Sequence, residues 1–290
     1  MAKARIRRLQ LVLERKLYKL LPMCSPDSHL EASGMGVAGR HILVVFGNFG
    51  QIARIPFRAA SLALGPSGFF GPPGTAGFED ITCNPKGQLF LLRETDVVKG
   101  KEGCVSEVVE WNERFEHLGR SSLDVRFENA NRGFGKLAWT QRCGRPSLLV
   151  LWEGNHCKNG KNGHTPGGRI QVLSREGAYW VWSRELALPR TLPFKDYAAI
   201  GLENDLVGIA SQASSMLWVN RLQPGRWEWA GPGDLYEFPR NKKGKRLYFN
   251  VEGLAWLGQR QIAVVSDRRK RSEPRRARRK DQSIHIFKLP

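Results

Sequence analysis

No stretch of the chain approaches the roughly 18 consecutive apolar residues that a membrane-spanning helix needs. Residues 1–21 also lack the continuous apolar core, about 7–15 residues long, of a secretory signal. Cysteine is scarce: Cys24, Cys83, Cys104, Cys143 and Cys157 show no C-x-x-C spacing. An odd number of thiols without a signal peptide points to a reducing, cytoplasmic setting. The Arg-rich start of the chain leaves an organellar or peripheral-membrane address as the alternative. No G-x-S-x-G elbow occurs. The Gly-rich stretch 154–168 lacks the phosphate-cradling pattern G-x-x-x-x-G-K-[ST]. His156, Cys157 and His164 fit no closed tetrahedral zinc spacing.

Acidic residues are also in short supply, 27 against 46 Lys and Arg, for a net charge of +19. Three tracts hold the whole excess: residues 1–20, 240–246 and 268–280. The remainder is neutral overall, so basicity reads as an added feature of a tail and two loops. Such tracts suit a polyanion, nucleic acid or anionic membrane as partner, with strong salt dependence. Within residues 4–21, Ile6, Leu9, Leu13, Leu17 and Leu20 recur at helical spacing among six basic side chains. That spacing predicts a basic amphipathic helix, either packed across the fold or lying on a membrane surface.

What the chain has in abundance is a repeated phrase. Phe78-Glu79-Asp80-Ile81, Phe134-Gly135-Lys136-Leu137, Tyr197-Ala198-Ala199-Ile200 and Val251-Glu252-Gly253-Leu254 open four similar units, 56, 63 and 54 positions apart. Each opening is followed by an apolar run ending in a polar residue, and then by an alternating third strand. A degenerate fifth copy lies upstream, with Ile42 to Gly47 as its second run and Ile52 to Phe57 as its third. Repeats of this period bury their faces against one another. The pattern predicts an all-β fold, a β-propeller of five blades with six as the alternative. Residues 33–290 form the propeller, and residues 1–32 the basic helix and its linker. The last copy stops after its third strand, so the N-terminal region is expected to pair with that open edge and close the ring.

Ligand sites in propellers gather where inner strands meet the loops of one rim. Glu94, Glu153, Gln212 and Asp267 occupy one equivalent position, the end of the second run, and Glu79, Asp80 and Glu252 stand at the openings. Carboxylates converging there would suit calcium, which takes six to eight oxygen ligands. Glu94, Glu153 and Asp267 are then the candidate metal ligands, and Glu79, Asp80, Glu252 and His156 the candidate catalytic groups. Asn155, Gln212, Arg93 and Arg268 are the candidate substrate contacts, for a small anionic or ester ligand. The same positions read equally well as the solvated ends of apolar strands.

The phrases Phe78-Glu79-Asp80-Ile81 to Glu94 and Val251-Glu252-Gly253-Leu254 to Ser266-Asp267 resemble those of the esterase-like phytase and SdiA-regulated propellers of bacteria. The resemblance covers residues 34–290 and implies a calcium-capable toroid acting on phosphate or carboxylic esters. Glu79, Glu252 and Asp267 match the family phrase, whereas Gly135, Ala198 and Gln212 depart from it.

Overall fold

In the computed structural model, which describes residues 6–58, 67–71, 77–95, 104–127, 133–152, 168–258 and 260–290, the chain opens with two strands. Strand β1 spans Arg7–Arg8 and β2 spans Gln10–Lys16. The expected N-terminal helix is therefore absent from these residues. Leu9, Leu13 and Leu17 lie four apart, a spacing that satisfies the strand period of two as well as the helical one. Leu9 and Leu17 are buried while Leu11 and Val12 are exposed, and a register shift between Leu11 and Leu13 breaks simple alternation.

Five sheets follow in chain order. The first is β3 (Ala32–Ala38), β4 (His41–Phe46), β5 (Phe49–Pro56) and β6 (Gly68–Phe70). The second is β7 (Phe78–Cys83), β8 (Leu89–Thr95), β9 (Cys104–Trp111) and β10 (His117–Phe127). The third is β11 (Phe134–Arg142), β12 (Arg145–Trp152), β13 (Arg169–Glu176) and β14 (Tyr179–Ala187). The fourth holds β15 (Ala199–Glu203), β16 (Leu206–Ser211), β17 (Met216–Arg221) and β18 (Asp234–Glu237). The fifth holds β19 (Val251–Gly258), β20 (Gln261–Ser266) and β21 (Ser283–Lys288). Within each blade consecutive strands pair antiparallel. The innermost strands β3, β7, β11, β15 and β19 touch in that cyclic order. This is a five-bladed propeller.

Closure comes from the N-terminal strands. β2 pairs antiparallel with β21 as the fourth strand of the last blade, and β1 adds in parallel to β18 of the fourth. One short segment thus covers the outer edges of two neighbouring blades and removes the pairing hazard that bare edges present. Leu9, between the two strands, is 1% exposed. Burying such a side chain contributes about 2 kcal/mol. Residues 7–16 consequently belong to the propeller and not to a separate helical segment. No helix among the described residues is long and apolar enough to cross a membrane.

The inner strands share a local irregularity. In blades 1, 2, 3 and 5 the register shifts at one place, between Ala32 and Gly34, Phe78 and Asp80, Phe134 and Lys136, and Val251 and Gly253. Such a bulge adds one residue, here Ser33, Glu79, Gly135 or Glu252, and re-aims the side chains around it.

The residue after each bulge, Gly34, Asp80, Lys136 and Gly253, stands where the inner strands converge. Asp80 is buried there. Its Oδ1 accepts the amide hydrogens of Met35 (3.1 Å) and Ile81 (2.9 Å), and its Oδ2 accepts that of Leu137 (2.8 Å). One carboxylate thereby ties β3, β7 and β11 together. Lys136, 1% exposed, donates to the carbonyls of Ser33 (2.8 Å) and Glu79 (3.3 Å) and lies 3.6 Å from the Glu252 carboxylate. Space for this cluster comes from glycine. A Cβ on Gly34 would lie 2.5 Å from Asp80 Cα, and one on Gly253 would lie 2.7 Å from Met35 N.

Two substitutions test this plug. Asp80→Asn replaces one acceptor oxygen by an amide donor facing a backbone N–H, and should lower unfolding free energy by about 3 kcal/mol in urea titration. Gly34→Ala drives a methyl group into the Asp80 backbone and should prevent cooperative folding in the same assay. A variant of either kind melting like the parent would show that the centre is loosely packed.

Candidate functional site

Three of the four bulge residues, Ser33, Glu79 and Glu252, open onto one rim. Ser33, Glu79, Ala198 and Glu252 line a cavity of about 440 Å³ together with Gly47, Gln212 and Asp267 from the ends of the second strands. The first set begins the inner strands and the second follows β4, β16 and β20, so blade geometry brings both to the same end of the ring. Glu31, Asp196 and Lys270 complete the walls. Five carboxyl groups therefore surround this mouth, with the Lys136 ammonium beneath it, paired to Glu252.

Burial at the mouth resists ionisation. Desolvation pushes the Asp267 carboxyl up to about 7; the Arg268 amide opposes this, while the negative Glu252 and Glu31 reinforce it. Glu79 is also raised by burial, partly offset by Lys136 and reinforced by Glu252. Asp196 is raised for the same first reason, although it accepts hydrogen bonds from the Ser211 hydroxyl (2.5 Å) and the Ala213 amide (3.1 Å). A site where Asp267 holds a proton up to about pH 7, beside an ion-paired Glu252, is equipped for proton transfer.

The candidates from sequence fall in different places. Glu79, Glu252, Gln212 and Asp267 all line the mouth. Asp80 does not: it lies buried under the mouth, both of its oxygens bonded to backbone amides, and its part is structural. The same amides and Lys136 oppose the burial that raises its carboxyl to about 7. Arg93 is paired in β8 opposite Phe78, outside the cavity lining, and its Nε finds no hydrogen-bond partner among the described residues. Arg268 is exposed and its guanidinium meets His29 Nδ1 at 2.8 Å. Glu94 belongs to β8, but its side chain lies outside what the structure describes. Glu153, Asn155 and His156 lie outside the described residues.

Glu31, Asp196 and Lys136 were not candidates from sequence. Glu31 and Asp196 each immediately precede a blade opening, Ala32 and Tyr197, so a signal existed one position upstream of the repeated phrase. Lys136 stands inside the phrase, next to Gly135. Only the neighbouring blades reveal its partners.

Calcium requires several oxygen ligands converging on one point. Among the described residues, no three acidic, imidazole or thiol groups are arranged to hold a metal ion. Glu252 is engaged by Lys136, and Asp196 by Ser211 and Ala213. Of the expected ligands, Asp267 lines the mouth, while the Glu94 side chain and Glu153 lie outside the described residues. A second cavity of about 970 Å³ opens at the opposite rim, lined by the turns between first and second strands, with Arg40, His41, Arg54 and Trp139 among its residues. None of the candidate residues lies there.

No protein-family pattern matches the sequence, and no curated protein is significantly similar to it. Solved structures do match the fold. Glutaminyl cyclase of Myxococcus xanthus aligns over 99% of this chain and 98% of its own, with a TM-score of 0.55 and 11% identity. The PQQ-bound aldose sugar dehydrogenase of Streptomyces coelicolor aligns over 99% of both chains, at 0.51 and 10% identity. Sucrose-6-phosphate hydrolase of Lactobacillus gasseri covers 93% of this chain and 62% of its own, at 0.52 and 11% identity. At such identity the likeness is one of fold alone.

The raised carboxyl of Asp267 has a consequence for stability. A group whose folded pKa lies above its unfolded value favours the folded state most below the unfolded value, here 3.8, and loses that contribution as pH rises through the folded value near 7. Asp267→Asn abolishes the titration and keeps an acceptor for the Arg268 amide. The variant should therefore gain melting temperature over the parent at pH 8 and show a smaller gain at pH 5. An equal shift at both values would show that Asp267 ionises normally.

Proposed function

We propose that the acidic mouth is a catalytic site for hydrolysis of small, uncharged carboxylic esters. The observation that carries this reading is the Asp267 carboxyl raised to about 7 on the same cavity wall as Glu252, which is ion-paired with Lys136. Val251 and Ser266 are register partners, so the residues that follow them, Glu252 and Asp267, start from adjacent strands. Glu252 accepts a proton from water as its oxygen attacks the ester carbonyl carbon. Asp267 gives its proton to the alkoxide leaving oxygen as the carbon–oxygen bond breaks. A carboxylic acid and an alcohol leave, and exchange with solvent restores both carboxyl groups.

Charge decides between the two ester classes. With Asp267 holding its proton, four further carboxyl groups stand against Lys270 and the buried Lys136, a balance that disfavours a phosphate dianion, whereas a carboxylic ester brings no charge into the mouth. Two of the structurally similar proteins, the sucrose-6-phosphate hydrolase and the glutaminyl cyclase, are enzymes by name and are compatible with a catalytic propeller.

Hydrolysis of p-nitrophenyl acetate and p-nitrophenyl phosphate by purified protein, with and without a chelator, tests the proposal. The acetate ester should be cleaved and the phosphate ester should not, with no effect of chelation. kcat/KM should fall as pH rises through about 7, and Asp267→Asn should lower it about 10²-fold or more. Absence of turnover, an unaffected Asp267→Asn variant, or loss of activity on chelation would each contradict it.

A further inference from the structure

The three basic tracts are far apart in sequence, yet the fold joins them. The excursion between β20 and β21 is not a free loop: residues Arg275–Arg279 form a 3-10 turn whose Ala277 is 1% exposed. Arg276 Nε donates to the Arg246 carbonyl (3.1 Å), and the guanidinium groups of Arg246 and Arg276 lie 4.1 and 5.6 Å from the Phe249 ring centre. On the other side, Lys16 Nζ donates to the Arg278 carbonyl (2.9 Å) and pairs with Asp281, while Lys280 pairs with Glu14 (2.6 Å). Residues 10–19, 240–246 and 268–280 thereby form one contiguous basic surface across blades 4 and 5. Deleting 268–280 would remove these contacts along with the charge.

Within that surface the basic side chains divide into two groups. Lys16, Arg246, Arg276 and Lys280 are spent on holding the tracts together. Lys242, Lys243 and Lys245 on one loop, and Arg271, Arg275, Arg278 and Arg279 on the other, are exposed and form no ion pair among the described residues. Seven cations kept unpaired on a folded platform repel one another, a cost that salt screens and an anionic partner relieves.

We infer that this surface binds the phosphodiester backbone of a nucleic acid. Four of its free groups on the 268–280 excursion are arginines, whose planar fork matches phosphate oxygens in pairs. An anionic membrane is the competing partner, and stable membrane binding adds an inserted apolar anchor to the charge. The exposed large apolar residues of this region, Ile6, Leu11 and Val12, sit beside or within the edge strands β1 and β2, whereas the two loops carry none. The surface is therefore shaped for a phosphate polymer in water.

Fluorescence anisotropy with a labelled 20-nucleotide RNA, its DNA counterpart and a DNA duplex, beside co-sedimentation with phosphatidylserine vesicles, provides the test. Two variants preserve the contacts that hold the tracts together: Arg271→Gln/Arg275→Gln/Arg278→Gln/Arg279→Gln and Lys242→Gln/Lys243→Gln/Lys245→Gln. The parent should bind nucleic acid with an affinity falling steeply with salt, and each variant should bind at least tenfold more weakly with a shallower salt slope. Unchanged melting temperatures of both variants show that the fold is retained. No binding to any nucleic acid at about 50 mM salt, a low-salt regime in which phosphate contacts are strong, would overturn the inference. So would vesicle binding without nucleic-acid binding, or variants that bind as the parent does.

Discussion

The carboxylate of Asp80 is the contact on which the ring depends. Blades touch along their inner strands, and strands of different blades do not share a ladder, so their registration needs something other than sheet hydrogen bonding. Asp80 provides it by accepting amides from β3, β7 and β11 at once, with Lys136 bonded to the same strands from the other direction. A buried carboxylate with this many donors is fully satisfied, and a satisfied polar network specifies one arrangement where an apolar plug would permit several. Lesser ties repeat the principle: Thr82 Oγ1 accepts the Trp139 amide at 3.0 Å, and the Ser33 hydroxyl donates to the Phe78 carbonyl at 2.5 Å.

The bulge that precedes this plug also makes the mouth. Adding one residue to an inner strand sends the residue after it to the axis and leaves the bulged residue at the rim. Alternation of roles within two consecutive positions explains why Glu79 and Asp80, adjacent carboxylates, do unlike work. The charge of the molecule is divided on the same plan. Five carboxyl groups face the mouth, where burial raises the proton affinity of Asp267, Glu79 and Asp196, and seven unpaired cations stand on loops of the last two blades. Lys270 lies where the two regions meet.

Much of this architecture was legible in the sequence, because blade repeats impose a period that composition cannot hide. The openings at Phe78, Phe134 and Val251 begin β7, β11 and β19, while β15 begins two residues after Tyr197. Closure by the N-terminal segment also followed from counting strands in the last blade. Its conformation did not, since leucines four apart satisfy both periods and only the open edge of β21 decides between them. Strand β3 was not read as an opening: Ala32-Ser33-Gly34-Met35 carries no aromatic or acid at the marked places, its glycine being dictated by Asp80 in the next blade. The roles of Asp80 and Lys136 were hidden for the same reason. Their partners are backbone groups of other blades, and a sequence does not display backbone contacts.

Native-state hydrogen exchange resolved at single amides measures the central tie most directly. Met35, Ile81 and Leu137 sit in three blades and donate to one carboxylate. Their amides should therefore exchange only through global unfolding, with one common free energy and one common response to urea. Exchange of any one of the three by local opening, at a distinctly lower free energy than the other two, would show that Asp80 does not hold the blades together.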